Sequence, residues 1–205
     1  ALVIDPGTGA YYADPRLRAW LASRAAHNAP CPTAVDYPRR LGPFLWAEHH
    51  AVPELEASAR VAVGSLRLPQ GVIFRSIRRL EKLDGWEVTD RFEPRFKDGT
   101  GDFTVCWQFA PDSWVKKIAE RKFSIHRAES TVMIEVDDSW SVVELFEPVG
   151  EEEPRRSTAS PSGSLEGIVS PAFRQVCGAP FLKLTARPGD KPCVFTTAFL
   201  ASAPA

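Results

Sequence analysis

Two side chains near the start of the sequence have the chemistry of metal ligands: the carboxylate of Asp5 and the imidazole of His27. A carboxylate oxygen and an imidazole nitrogen are both donors that zinc accepts in proteins. A catalytic zinc usually has three protein ligands and a structural zinc has four, so this pair would be an incomplete set. The alternative interpretation is structural. Asp5 would then cap a turn, and the charge of His27 would suit the carboxyl end of a helix.

Each of these residues follows a short regular element. The apolar run Leu2-Val3-Ile4 is typical of a strand, and Pro6-Gly7 predicts a turn directly after Asp5. Asp14-Pro15 predicts the start of a short helix, which would carry the chain towards His27-Asn28. Both candidate ligands therefore lie where a regular element gives way to a loop, and functional sites are often built at such positions.

Other charged or ionisable side chains have simpler interpretations. His49-His50 lies in a proline-rich stretch and is predicted to be an exposed loop pair, whereas His126 lies on a predicted strand. The basic run Arg75, Arg78, Arg79 and Lys82 would suit a carboxylated or sulfated sugar, but a solvated strand face is the preferred interpretation.

The overall composition excludes several classes of partner. The chain has 205 residues, 44% hydrophobic and 25% charged, which is typical of one globular domain, and its net charge is -1. Such a balance creates no overall field for nucleic acid, an anionic membrane or an acidic polymer. Nucleic acid and membranes are therefore not predicted as partners, and any attraction for a polyanion has to be local. The four cysteines, Cys31, Cys106, Cys177 and Cys193, lack metal-site spacing and are predicted to be buried thiols. A Cys177–Cys193 disulfide is the alternative in an oxidising compartment.

The predicted fold is mainly β, an antiparallel β-sandwich with one short helix near the N-terminus. Apolar and polar residues alternate in successive short segments from residue 59 onward, with turn residues between them. The clearest strand is Phe103 to Phe109, which should have one face in the core and the other outside it. Residues 31–55 are predicted to be a surface excursion around one brief strand at Phe44–Trp46, and residues 151–164 a loop.

The first thirty residues resemble the start of the C-terminal half of the heparinase II/III-like polysaccharide lyases. The shared features are a strand, DPGT, aromatic residues, an Arg-rich helix and HN. Three later stretches are similar to the family in the same order: GVIFRSIRRLEKLDGWEVTDRFE, FTVCWQFAP and GIVSPAFRQVCGAP. The resemblance covers nearly the whole chain. By residue-wise transfer it implies that Asp5 and His27 are the second and third zinc ligands, and Arg24 replaces the usual Thr.

The resemblance also implies what this chain lacks. A helical toroid and the first sandwich strands would precede residue 1, and would supply the first zinc ligand and the residues that catalyse β-elimination at a uronic acid. Residues 1–205 would form the C-terminal β-sandwich domain, with zinc as cofactor and no catalytic residue. Tyr11 and Tyr12 are therefore expected to pack or line a cleft, since the family's catalytic Tyr belongs to the helical domain.

The implied partners are an acidic polysaccharide and the N-terminal helical part of the same protein. We expect the isolated chain to be inactive, and either to copurify with that part or to self-associate through an unpaired edge near Leu2–Ile4. A periplasmic or secreted location is implied, with the cytoplasm as alternative. Two rival functions are a non-catalytic carbohydrate-binding or structural sandwich, and a small hydrolase with a metal held by Asp5, His27 and His49 or His50.

Overall fold

The computed structural model of the chain describes residues 1–9, 14–32, 38–42, 45–48, 52–95, 101–148 and 165–201. It has one short α-helix, α1 (Pro15–Leu21), and a 3-10 turn at Arg24–Ala26. The strands are β1 (Pro30–Pro32), β2 (Glu54–Ala57), β3 (Val61–Leu68), β4 (Gly71–Leu80), β5 (Gly85–Pro94), β6 (Phe103–Gln108), β7 (Trp114–Ala119), β8 (Lys122–Arg127), β9 (Ser130–Val136), β10 (Val142–Phe146), β11 (Ile168–Val169), β12 (Cys177–Gly178), β13 (Phe181–Ala186) and β14 (Cys193–Ala201). Within the described ranges, no helix is long and apolar enough to cross a membrane.

The strands form two main antiparallel sheets. The large sheet has eight strands in the order β2-β3-β4-β5-β14-β9-β8-β7, and the small sheet has four in the order β1-β6-β13-β10. Strands β11 and β12 pair as a separate ribbon. The predicted antiparallel, mainly β sandwich with one short helix is therefore confirmed.

Aromatic residues from both sheets fill the space between them. Phe103 of the small sheet stacks on Phe92 and Phe195 of the large sheet, with ring centroids 5.2 and 5.1 Å apart. Trp107 of the small sheet meets the edge of Phe199 at 4.9 Å. The side chains that alternate along β6 thus form the predicted core face, because successive strand residues point to opposite sides.

The prediction that the other face of β6 lies outside the protein's interior is wrong. All six residues of β6 are buried, including Thr104, Cys106 and Gln108 on the second face. The 3-10 turn packs against this strand, and Trp20 of α1 lies 6.3 Å from the ring of Phe181 on the neighbouring strand. A strand covered on both sides has no solvent-facing row, and Thr, Cys and Gln do not reveal this in the sequence.

The stretch before β3 also differs from the prediction. Strand β2 lies at the end of what was expected to be an irregular excursion, and it is exposed along its whole length. Apolar and polar residues alternate too weakly in β2 for the sequence to predict a strand. This strand lies at the edge of the eight-stranded sheet, which is wider than the four-stranded sheet, so β2 has few side chains to bury. At the predicted strand Phe44–Trp46, Trp46 makes a single bridge with Arg40, and Phe44 lies outside the described residues.

All four cysteines are free thiols, so the Cys177–Cys193 disulfide is absent. Burial matches the prediction only for Cys106, because the other three are partly exposed. Burial raises the pKa of the Cys106 thiol to about 12. This group is therefore neutral at physiological pH and is a packing residue rather than a nucleophile.

Candidate metal centre

The two candidate ligands are in direct contact. The Nδ1 atom of His27 lies 2.7 Å from Oδ2 of Asp5, although the residues are 22 positions apart. Both side chains reach solvent, with exposed fractions of 33% for His27 and 67% for Asp5. The pair therefore lies at the rim of the sandwich, where a ligand from another chain segment has access.

Asp5 is positioned by the N-terminal segment, which pairs with the end of β6. The Ile4 amide donates to the Gln108 carbonyl at 2.9 Å, and Val3 forms an antiparallel bridge with Phe109. The segment Leu2–Ile4 was predicted to lie next to an unpaired edge. On one side its backbone is hydrogen-bonded to the end of β6, so the segment itself forms the edge.

The turn after Asp5 frees one carboxylate oxygen for His27. The Gly7 amide donates to Oδ1 of Asp5 at 2.9 Å, which leaves Oδ2 for the imidazole. Gly7 has a φ of +78°, and a Cβ atom there would lie 2.2 Å from the Ser170 carbonyl oxygen. Only glycine satisfies both constraints. The turn-capping role expected for Asp5 and its contact with His27 therefore coexist.

His27 is reached through α1 and the 3-10 turn. The Asp14 side chain accepts from the amides of Arg16 and Leu17 at 2.9 and 3.0 Å, which confirms the predicted helix start. The helix ends at Leu21, earlier than expected, and His27 follows the separate 3-10 turn. The Leu21 carbonyl lies 3.1 Å from Nε2 of His27 and fixes the direction of the ring.

These contacts define which ring nitrogen can bind a cation. A carbonyl oxygen only accepts, so Nε2 of His27 carries the hydrogen, and in the neutral ring the lone pair of Nδ1 points at the Asp5 carboxylate. A lone pair and an anionic oxygen repel each other unless a proton or a metal ion lies between them. Metal-binding histidines commonly donate their second nitrogen to a backbone carbonyl in this way, so the donor set fits zinc.

The fit requires only a small adjustment. Two zinc ligands at about 2.0–2.1 Å from the ion in a tetrahedral site lie roughly 3.3 Å apart. The exposed Asp5 side chain has room for that separation. In the described part of the chain, no group of three His, Cys, Asp or Glu residues could hold a metal ion. Asp5 and His27 thus need a further ligand, and His49 and His50 lie outside the described residues.

Asn28 joins the segments that carry both candidate ligands. Its Nδ2 atom donates to the Ile4 carbonyl at 2.7 Å, and its Oδ1 atom accepts from the Gln108 amide at 2.7 Å. The side-chain amide thus continues the backbone hydrogen bonding between the N-terminal segment and β6. No role is predicted for Asn28 from the sequence, although a His-Asn pair at the end of an element is the signal that could have identified it.

Arg75 supports the same turn from inside the sandwich. It donates to the Asn28 carbonyl and forms two hydrogen bonds with Asp90, at 2.6 and 2.8 Å. Its guanidinium also lies 5.1 Å from the ring centroid of Trp107. Asp90 is 2% exposed. Burial raises the pKa of Asp90, and the hydrogen bonds from Arg75 oppose that rise.

The prediction of a solvated face for the basic run is therefore wrong for Arg75. It shares its side of β4 with Ile73, which is in the core, and faces the small sheet. Arg78 lies on the opposite side of the strand and pairs with Glu87 at 2.7 Å, with the Arg78 side chain 60% exposed. The prediction assigned the whole basic run to one solvated face. Strand residues an odd number of positions apart point to opposite faces, so Arg75 and Arg78 cannot share one.

The remaining candidates do not join the pair. His126 lies on β8, where Ser124 and Thr131 hold its two ring nitrogens at 2.9 and 3.0 Å. This agrees with the expected satisfied histidine. Tyr11 and Tyr12 lie outside the described residues, as does the predicted loop 151–164.

Comparison with known proteins adds a family and a fold. The family model described as "Heparinase II/III-like, C-terminal" matches residues 1–177. A heparan sulfate lyase from Pedobacter heparinus superposes with a TM-score of 0.67 at 16% identity, covering 100% of this chain and 29% of that one. A heparinase III superposes with a TM-score of 0.61 at 13% identity, covering 98% and 28%. This chain spans less than a third of both. No curated protein sequence matches it.

Proposed function

The chain belongs to the heparinase II/III-like family, matching its C-terminal domain, and on that premise we propose that it is the β-sandwich part of a polysaccharide lyase. The complete protein would cleave a uronic-acid-containing polysaccharide by β-elimination. This domain would form one wall of the cleft and contribute Asp5 and His27 to a zinc site. The observation that carries the proposal is the 2.7 Å contact between these two side chains at the rim of the sandwich.

Zinc would act here as a structural ion that joins the sandwich to the upstream polypeptide. Oδ2 of Asp5 and Nδ1 of His27 are the atoms that would hold it, and the Leu21 carbonyl keeps the proton on Nε2. Asn28 and Arg75 keep the two segments together from behind. A histidine whose second nitrogen and backbone are both fixed loses little freedom when it binds a metal.

The elimination itself needs a base for the proton next to the carboxylate, a group that neutralises the growing charge, and an acid for the departing oxygen. We assign all three to the upstream polypeptide, which comprises the helical part and the first sandwich strands, since neither the Asp5 carboxylate nor the His27 Nδ1 atom is free for proton transfer while a metal is bound. The helical part and an acidic polysaccharide are thus the proposed partners, and a periplasmic or secreted location is the proposed compartment.

The metal assignment is tested by zinc content and by thermal stability with and without a chelator. Asp5→Ala and His27→Ala should each lower the zinc bound per molecule of the complete protein, and chelation should destabilise the wild type but neither of these two variants. His126→Gln is a matched control, because His126 lies on β8 and its ring nitrogens contact Ser124 and Thr131 rather than the pair. Unchanged zinc content in Asp5→Ala and His27→Ala would refute the assignment.

The catalytic assignment is tested by the ultraviolet absorbance of newly formed unsaturated uronate. The complete protein should produce it from heparan sulfate or alginate, and the 205-residue chain alone should not. Rapid product formation by the chain alone would mean that the catalytic groups lie within it.

A further inference from the structure

An exposed tryptophan on the edge of the large sheet has an unusually ordered support. Trp114 is 56% exposed and stacks on His126, with ring centroids 3.7 Å apart and planes inclined by 8°. One face of the indole is therefore covered by imidazole, and the other is open to solvent.

The supporting ring cannot turn away. Nε2 of His126 lies 2.9 Å from the Ser124 hydroxyl, and Nδ1 lies 3.0 Å from the Thr131 hydroxyl. Ser124 is itself only 4% exposed. A ring held by both nitrogens keeps the indole in one orientation, which lowers the entropy lost when a flat ligand binds.

The charge beside this platform is positive and unpaired. Lys116 lies on the same face of β7 as Trp114, two residues along, and pairs in register with Ser124. Two acidic side chains on neighbouring segments are engaged elsewhere: Asp112 pairs with Arg127 at 2.8 Å, and Glu135 pairs with Lys122 at 2.8 Å. Among the described residues, Lys116 thus has no ion-pair partner.

We propose that Trp114, backed by His126 and flanked by Lys116, binds a pyranose ring of an acidic polysaccharide; only the choice of an acidic glycan rests on the proposed function. The C–H groups on the apolar face of a pyranose are weakly positive and pack against the negative face of an indole. Side chains two residues apart on a strand lie about 6–7 Å apart. That spacing lets Lys116 meet a carboxylate or sulfate on the stacked sugar or on its neighbour.

A structural explanation for the lysines is that they discourage pairing at the edge strand. It predicts the same effect for Lys116 and Lys117, which are both exposed on β7 but point to opposite faces. Sugar binding predicts an effect for Lys116 alone. These two neighbouring residues therefore form a matched pair for the test.

The experiment is affinity electrophoresis of the 205-residue chain in gels containing heparan sulfate, alginate or neutral dextran. We expect both acidic polymers to retard the wild type more than dextran does. Trp114→Ala should weaken retention by about tenfold or more, the order of loss caused by removing a stacking ring. Trp114→Phe should retain most of the binding. Lys116→Ala should weaken it about two- to fivefold, since the charge is exposed.

Two controls complete the design. Lys117→Ala and Trp86→Ala should bind as the wild type, because Trp86 is 44% exposed but lies on β5. Any one of three results would overturn the proposal. Trp114→Ala could be retarded as strongly as the wild type, dextran could retard the wild type as strongly as the acidic polymers do, or Lys116→Ala and Lys117→Ala could weaken binding equally. The assay involves no turnover and no metal. If the complete protein showed no lyase activity or bound no zinc, only the proposed function would therefore be refuted.

Discussion

Replacing Arg75 by methionine is the sharpest test of the support behind the candidate metal centre. The substitution removes two hydrogen bonds from Asp90 and one from the Asn28 carbonyl, while a side chain of similar length remains. Because Asp90 is 2% exposed, its carboxylate would be left buried without a partner. Breaking a buried ion pair in this way costs about 3–5 kcal/mol. For a domain of this size we expect the melting temperature to fall by roughly 6–20 °C.

The chain provides a matched control on the same pair of strands. Arg78 on β4 also pairs with a carboxylate on β5, but at the surface. Arg78→Met should therefore cost at most about 1 kcal/mol. Two assays check these values: urea unfolding followed by tryptophan fluorescence gives the free energy of unfolding, and thermal unfolding gives the melting temperature. Equal losses for Arg75→Met and Arg78→Met would refute the reasoning, because burial would then have no effect on the cost.

A double variant and a pH series separate the lost charge pair from lost packing. Arg75→Met combined with Asp90→Leu should be more stable than Arg75→Met alone, because no unpaired charge remains. In Arg75→Met, burial alone acts on Asp90 and its pKa lies above that of the unfolded chain. The native state then binds the proton more tightly, so stability falls as pH rises through that pKa and recovers at lower pH. A loss independent of pH would contradict this explanation.

Three further predictions concern the turn, its glycine and the buried thiol. Asn28→Ala should cost about 1–3 kcal/mol in urea unfolding and weaken zinc binding, because two hydrogen bonds between segments are lost; unchanged zinc affinity would show that Asn28 has no positioning role. Gly7→Ala should cost at least about 1–2 kcal/mol, from positive φ and the close Ser170 carbonyl, whereas Gly189→Ala, with no atom within 4 Å, should be nearly neutral. Cys106 should react with a thiol reagent at neutral pH only after unfolding, because its pKa of about 12 keeps it protonated; rapid labelling of Cys106 in the native protein, distinguished from the three partly exposed cysteines by peptide mapping, would contradict its burial.

Elements with local signals can be predicted from the amino-acid sequence alone. Asp14-Pro15 specifies the helix start through its own hydrogen bonds and the fixed backbone angle of proline. Period-two alternation specifies strands such as β6 and β9, since each residue's side follows from its neighbours. Asp5 and His27 could be identified as candidate metal ligands because carboxylate and imidazole groups bind zinc and each residue follows an element that the sequence predicts.

The packing partners of these elements depend on the three-dimensional fold. Nothing local distinguishes Arg75 from Arg78, yet one is buried against Asp90 and the other faces solvent, because their sides depend on which sheet lies opposite. The second face of β6 is buried for the same reason. Asn28 connects two segments only because the fold brings Gln108, eighty residues later, close enough for its amide to donate to Oδ1 of Asn28 at 2.7 Å. Contacts between distant segments depend on sheet order and register, and these are properties of the assembled sandwich rather than of any stretch within it.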